Sequence, residues 1–219
     1  MGHWISLDTP RGRISAWKAE PAGQPRAGLV VIQEIFGVNA HIRSVAESFA
    51  AEGYAVVAPA YFDLVEAGVE LDYDDAGIAK GRELIAQLGL ETAQEITGAA
   101  ADTLKDIGKI GTVGYCWGGT VALLAALRLG LPSVSYYGAR NGPFLSEKPK
   151  APVMFHFGEH DASIPPERVQ QHREMMPQME TFTYPAGHGF NCDVRADYDA
   201  ASAKLARERT LRFFAEHLA

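Results

Sequence analysis

The sequence predicts an α/β fold: a mainly parallel central sheet with helices on both faces and an antiparallel hairpin at its N-terminal end. Three observations carry that prediction. Apolar runs such as Gly28-Leu-Val-Val-Ile32 and Tyr54-Ala-Val-Val-Ala-Pro59 lack polar alternation, as strands buried on both faces do. Segments of helical period separate them, the signature of parallel strands joined by crossover helices. Only the N-terminal stretch alternates polar and apolar residues in the period of a half-buried strand.

In chain order, Trp4–Leu7 and Arg13–Ala19 alternate across a Thr9-Pro10-Arg11-Gly12 turn, which makes a hairpin. Pro21–Pro25 is a loop. The strand Gly28–Ile32 ends in Gln33-Glu-Ile-Phe-Gly37, where the chain must turn. Asn39 is placed to cap a helix through Ser44–Glu52, and Gly53 stops it. Tyr54–Pro59 is the next strand. Ala60–Asp75, acidic and aromatic without a period, reads as a surface loop. Ala76–Leu88 and Glu91–Ile107 are helical, broken at Gly89. Ile110–Tyr115 is a strand, followed by a turn at Cys116 and a helix through Val121–Leu127. Ser133–Tyr137, Pro152–Phe157 and Glu180–Tyr184 are further strands. Pro165–Met176 and Tyr198–Leu218 are helices rich in good helix formers.

The bulk numbers bound the function. The chain has 219 residues, 47% hydrophobic and 21% charged, which suits one domain over 1–219. Its formal charge of -7 is scattered along the sequence, without the basic patch that a nucleic-acid or anionic-membrane partner needs. No apolar run approaches the ~20 residues of a membrane span, and no basic-then-apolar leader opens the chain. Two cysteines, Cys116 and Cys192, do not make a disulfide scaffold. A reducing, cytoplasmic location is expected, with Cys116 a free thiol. No glycine-rich phosphate loop or metal-ligand spacing appears, and His156, His160 and His172 match no zinc pattern, so no cofactor is expected. The expected partner is a small molecule, and a monomer is favoured.

The chemistry gathers around Gly114-x-Cys116-x-Gly118. Glycines either side of a nucleophile at a strand-to-helix turn match the nucleophile elbow of α/β-hydrolases, with cysteine for serine. The helix behind the turn aims its N-terminus at the sulfur, which favours a thiolate and an adjacent oxyanion. A buried structural cysteine in a glycine-rich turn is the plain alternative. In open α/β sheets ligands collect at the carboxyl ends of strands. The polar residues just past predicted strand ends are Glu34, Cys116, Asp161 and His188. Cysteine, aspartate and histidine follow one another in the chain order of the α/β-hydrolase triad. His188 can move the thiol proton, and Asp161 can orient the imidazole, with Glu159 as an alternative acid. The backbone N–H of Trp117 is one oxyanion donor, and Ile35 is assigned the second. Phe36, Tyr137, Phe190 and Arg82 are candidates for a substrate pocket. A glutaminase-type elbow enzyme would carry an acid two residues after its histidine, where Phe190 stands here.

These pieces resemble the dienelactone hydrolase (carboxymethylenebutenolidase) family. The matching residues are Gln33-Glu-Ile-Phe-Gly-Val-Asn39, Gly53-Tyr54, Ala58-Pro59, Gly114-Tyr-Cys-Trp-Gly-Gly119, Tyr136-Tyr-Gly138, Gly158-Glu-His-Asp161 and Ala186-Gly-His-Gly-Phe190. The resemblance spans nearly the whole chain. It implies an α/β-hydrolase fold, a Cys116-His188-Asp161 triad, hydrolysis of a small lactone or activated ester through a thioester, and pairing of Glu34 with the thiol. Glu34 as a helix cap is the alternative, and a broad esterase or thioesterase is the alternative activity. A non-catalytic binding protein would be marked by loss of a triad member. The family's arginine close behind the histidine corresponds here to Asn191 and Cys192. Its second falls near Ile78, with Arg82 one helical turn on.

Overall fold

The computed structural model describes residues 2–219. The chain divides into two compact units, a first that ends at Thr112 and takes in Ala219, and a second over Val113–Leu218.

In the first unit, β1 (His3–Thr9) and β2 (Gly12–Ala19) form the expected hairpin, with Trp4 opposite Trp17 and Leu7 opposite Ile14. Leu7 and Ile14 are buried while their neighbours face water, as the alternation requires. β2 pairs antiparallel with β4 (Tyr54–Pro59), and β4 pairs parallel with β3 (Ala27–Ile32), Leu29 opposite Val56. Every residue of β3 and β4 is buried, which explains their unbroken apolar sequences. The order is β1-β2-β4-β3, then the start of β5 (Ile110–Tyr115). Helix α1 (Ala40–Ala51) is capped by Asn39, whose side chain accepts the Ile42 N–H at 3.2 Å. Asp74 caps α2 (Asp75–Leu88) in the same way, at 2.7 Å from the Gly77 nitrogen.

Two expectations are corrected here. The stretch after β4 is not simply a surface loop. Tyr61 and Phe62 are buried in a short 3-10 turn, Tyr61–Leu64, and the Tyr61 hydroxyl meets Thr97 Oγ1 at 2.8 Å. Further on, Glu70 bridges Gly37, and the Leu71 N–H donates to the Phe36 carbonyl at 2.9 Å. Aromatic residues without a period packed as single anchors, a pattern that periodicity does not register. The helix expected to reach Ile107 ends earlier. α3 spans Leu90–Asp102, and a separate 3-10 turn covers Lys105–Ile107. The Thr103 hydroxyl donates to the Ala100 carbonyl at 2.7 Å at this end, a local bond that competes with helix continuation.

In the second unit the order is β5, β6 (Ser133–Tyr136), β7 (Val153–Gly158), β8 (Thr181–Tyr184). The last three are parallel, with Ser135 opposite Phe155 and Phe155 opposite Thr181. Helix α4 (Trp117–Leu124) starts directly behind β5, four residues ahead of the expected Val121, and closes in a π-helical turn, Ala125–Leu129. α5 covers Pro166–Met175, and α6 covers Ala200–His217 with Asp199 as its cap. The fold is thus the α/β class expected, mainly parallel with an antiparallel N-terminal hairpin. No helix of the described residues is long and apolar enough to cross a membrane.

Candidate active site

The tip of the β5–α4 turn is Cys116, with φ 54° and ψ -115°, a backbone region that side chains rarely occupy. Its thiol is partly accessible. The strain is held from both sides. The Cys116 N–H donates to the Tyr136 carbonyl at 3.0 Å, and the Gly119 N–H donates back to the Cys116 carbonyl at 3.0 Å. The glycines have individual reasons. A Cβ on Gly114 would run into the Gly118 carbonyl, and one on Gly119 would lie 2.6 Å from the Tyr136 carbonyl oxygen. Gly119, outside the five-residue pattern, is therefore also constrained, though less tightly than Gly114.

Asp161 lies past the end of β7 and is buried at 4% exposure. Its Oδ1 accepts the Ser163 N–H at 2.8 Å, which leaves Oδ2 for His188. His188 Nδ1 sits 2.7 Å from that oxygen. Glu159, the other acid considered, is exposed, and its N–H is tied to the Tyr184 carbonyl at 2.8 Å. Two loops are pressed together to achieve this. The His160 N–H donates to the Ala186 carbonyl at 3.0 Å, and a Cβ on Gly158 would lie 2.7 Å from the Gly187 carbonyl oxygen. Gly158 thus lets the acid-bearing and histidine-bearing turns touch.

With Nδ1 committed to Asp161, the other ring nitrogen of His188 faces the Cys116 sulfur, to which the imidazole is hydrogen-bonded. Burial pulls the basicity of His188 down. The hydrogen bonds to Asp161 and Cys116, and attraction to their negative charges, outweigh it and raise the pKa to about 10. At neutral pH this imidazole therefore carries a proton between a carboxylate and a sulfur. Cys116, Asp161 and His188 are brought together within the second unit. The Tyr137 ring lies 5.2 Å from His188, and Phe190 lies 5.5 Å from Tyr137, so one pocket candidate of this unit borders the histidine and the other packs against the first. Trp117 follows Cys116 as the first residue of α4, so its backbone N–H lies in the first turn beside the sulfur-bearing residue.

The other candidates belong to the first unit. Glu34 is fully buried and accepts the Tyr73 hydroxyl at 2.9 Å. Tyr73 in turn accepts the Asn39 side-chain amide at 3.1 Å. Asn39 fills the α1 cap, the role considered as an alternative for Glu34. Ile35 is 8% exposed, and a Cβ on Gly81 of α2 would strike its carbonyl, so this turn is pinned by a close helix approach. Phe36 packs on Tyr73 with ring centroids 4.4 Å apart. Arg82 is exposed on α2.

One residue was passed over in the sequence. It is Arg195, which no motif of the sequence marks. In the structure it is half-buried, and a Cβ on Gly189 would lie 2.8 Å from its guanidinium. Asp197 covers Gly187 likewise, 2.7 Å from its would-be Cβ. The glycines flanking His188 make room for a folded-back loop. The spacing to that loop is irregular, so only the paired glycines could have signalled it. Cys192 in the same loop is fully buried.

Comparison with known proteins bears on this arrangement. Residues 14–218 match the model of the dienelactone hydrolase family. A Synechocystis protein named "Putative carboxymethylenebutenolidase" is 35% identical, over 98% of this chain and 96% of its own. The carboxymethylenebutenolidase of Pseudomonas putida is 33% identical, over 96% of this chain and 95% of its own. A crystal structure from Klebsiella pneumoniae, named "Putative Dienelactone Hydrolase", superposes with a TM-score of 0.87 at 28% identity, covering 99% of this chain and 98% of that one.

Proposed function

Since this chain belongs to the dienelactone hydrolase family and is an ester hydrolase of that kind, we propose that it opens small lactones or activated esters with Cys116 as nucleophile. The observation that carries the reading is the line Asp161–His188–Cys116: a 2.7 Å hydrogen bond on one side of the imidazole and the sulfur on the other.

The steps follow from that line. The Cys116 thiolate adds to the carbonyl carbon, and the carbonyl oxygen becomes an oxyanion facing the Trp117 N–H; the sequence assigns the second donor to Ile35. The intermediate collapses by breaking the ring C–O bond. The leaving oxygen takes the proton from His188, and a thioester remains on Cys116. Acylation removes the sulfur's negative charge, one of the influences that raised the basicity of His188. The imidazole therefore gives up its proton readily at this step. Water then loses a proton to His188 and adds to the thioester, the C–S bond breaks, and the thiolate returns beside the imidazolium. Asp161 keeps the ring oriented throughout.

The family resemblance adds a pairing of Glu34 with the Cys116 thiol, which would shield the cysteine from idle oxidation whenever the sulfur is turned away from His188. Glu34→Gln should then change the rate at which iodoacetamide labels Cys116. An identical rate across pH removes that role. Residues 1–219 are taken as one catalytic domain, supported by a family match that runs from 14 to 218.

A second reading, a broad esterase or thioesterase, is favoured by Cys192: a fully buried thiol stands where the resemblance expects a carboxylate-binding arginine. The two are separated by turnover of an anionic dienelactone against p-nitrophenyl acetate, with Cys116→Ala as control. Turnover of neutral esters alone favours the second reading. Turnover by Cys116→Ala at the wild-type rate refutes the nucleophile in both.

A further inference from the structure

Helix α4 starts one residue after Cys116, so whatever fixes its first turn also fixes the sulfur. Thr120, fully buried on that turn, is tied into a chain of side chains that the catalytic steps do not use. Thr120 Oγ1 accepts the Arg140 N–H at 3.2 Å and donates to Asn141 Oδ1 at 2.9 Å. Asn141 Nδ2 meets His172 Nε2 at 3.1 Å, and His172 Nδ1 lies 2.6 Å from the Arg168 carbonyl oxygen. Asn141 is 1% exposed and His172 2%.

The direction of every bond is determined. A carbonyl can only accept, so His172 Nδ1 carries the proton. Burial holds the imidazole neutral, with its pKa below the usual value, so Nε2 keeps a lone pair and accepts from the Asn141 amide. The other end of that amide is then oxygen, which takes the Thr120 proton. Thr120 oxygen is left to accept from Arg140. No donor or acceptor in the relay faces its own kind.

The relay joins two strained places. One end holds the helix behind Cys116. The middle holds the turn after β6, where Tyr137 has φ 39° and its ring lies 5.2 Å from His188. Gly138 sits under the amide, since a Cβ there would lie 2.7 Å from Asn141 Oδ1. His172 itself is braced edge-on against Phe155 and Phe157 of β7, at 4.9 and 4.8 Å between ring centroids.

We propose that Asn141 and His172 are positioning residues for the nucleophile, which act through Thr120 to set the elbow helix against the turn that borders His188. The inference rests on Cys116 as nucleophile. A small displacement of a reacting group costs rate rather than binding. The relay should therefore govern kcat and leave KM nearly unchanged.

The test compares Asn141→Leu, His172→Leu and Thr120→Val with two variants that keep the needed atoms. In His172→Gln the side-chain oxygen can still accept from Asn141, and in Thr120→Ser the hydroxyl remains. Turnover of p-nitrophenyl acetate and iodoacetamide labelling of Cys116 are measured for each, with thermal unfolding to select folded variants. The first three should lose about 10- to 100-fold in kcat with KM within about twofold, and label more slowly. His172→Gln and Thr120→Ser should recover most of the loss. If His172→Leu fails to fold, the Thr120→Val and Thr120→Ser pair, which alters one buried group, decides alone. Folded variants that keep wild-type kcat, or Ser and Gln variants no better than Val and Leu, overturn the proposal. The parent reading fails differently, by full turnover in Cys116→Ala.

Discussion

At the residue scale, the account turns on one imidazole with two partners. Asp161 is buried, and its second oxygen is taken by the Ser163 N–H, so its geometry toward His188 is not negotiable. Asp161→Asn would present an amide where a carboxylate holds the Nδ1 proton, and the ring would lose both its tautomer and its charge partner. We expect kcat to fall by about 100- to 10,000-fold with little change in KM, read by steady-state kinetics. A change below about threefold would remove Asp161 from the triad. Arg195 offers a second residue-scale prediction. If its guanidinium beside Gly189 helps bind anionic substrates, Arg195→Gln should raise KM for a dienelactone carboxylate and leave a neutral ester unaffected. Equal effects on both substrates would return Arg195 to a structural part in its loop.

At the element scale, the site depends on close approaches that glycine permits and on a buried polar brace. Gly158→Ala would push the turn after β7 away from the Ala186 and Gly187 carbonyls. The expected outcome is loss of activity together with loss of the downfield proton resonance of the His188–Asp161 bond. A retained resonance with full activity would show that the two turns can yield. The brace is His156 of β7. Its Nδ1 meets the Tyr184 hydroxyl at 2.8 Å and its Nε2 meets Thr210 Oγ1 at 3.1 Å. Thr210 also meets the Tyr136 hydroxyl at 2.7 Å, so β6, β7, β8 and α6 share one network. Complete burial, with the charges of Arg209 and Arg212 adding to it, lowers the pKa of His156 to about 3. The folded state therefore binds fewer protons than the unfolded state between about pH 3 and 6.5. This contribution to stability is present in full above pH 6.5 and is lost as pH falls toward 3. Urea unfolding at pH 4.5 should show a penalty of about 2 to 3 kcal/mol relative to pH 7, largely absent in a folded His156→Phe variant. An identical penalty in that variant would assign the acid sensitivity elsewhere.

Legibility in the sequence also divides by element. β3, β4 and β7 were readable because strands buried on both faces must be apolar throughout. The strand-end placement of Cys116, Asp161 and His188 was readable because elbow glycines and strand ends follow from steric and topological rules. The Thr120–Asn141–His172 relay was not. Its members lie on separate segments and carry no shared spacing, and a lone buried histidine looks in sequence like any other. Tyr61 and Phe62 were missed for the same kind of reason, since anchors in an irregular segment have no period.

At the scale of the whole molecule, the family match over 14–218 and the similarity to Pseudomonas carboxymethylenebutenolidase bear on the reaction type, while the residues around His188 bear on the substrate. The monomer expected from the sequence should elute in size-exclusion chromatography at the mass of a single chain. Elution at the dimer mass, with activity that falls on dilution, would contradict this.

The central claim is that a covalent thioester forms on Cys116. Its most direct measurement is mass spectrometry of protein quenched in acid during turnover of a slowly deacylated ester. The account predicts an added acyl mass that localises to the peptide containing Cys116 and is absent from Cys116→Ala. Steady turnover by wild type with the acyl group found on another residue, or full turnover by Cys116→Ala, would contradict it.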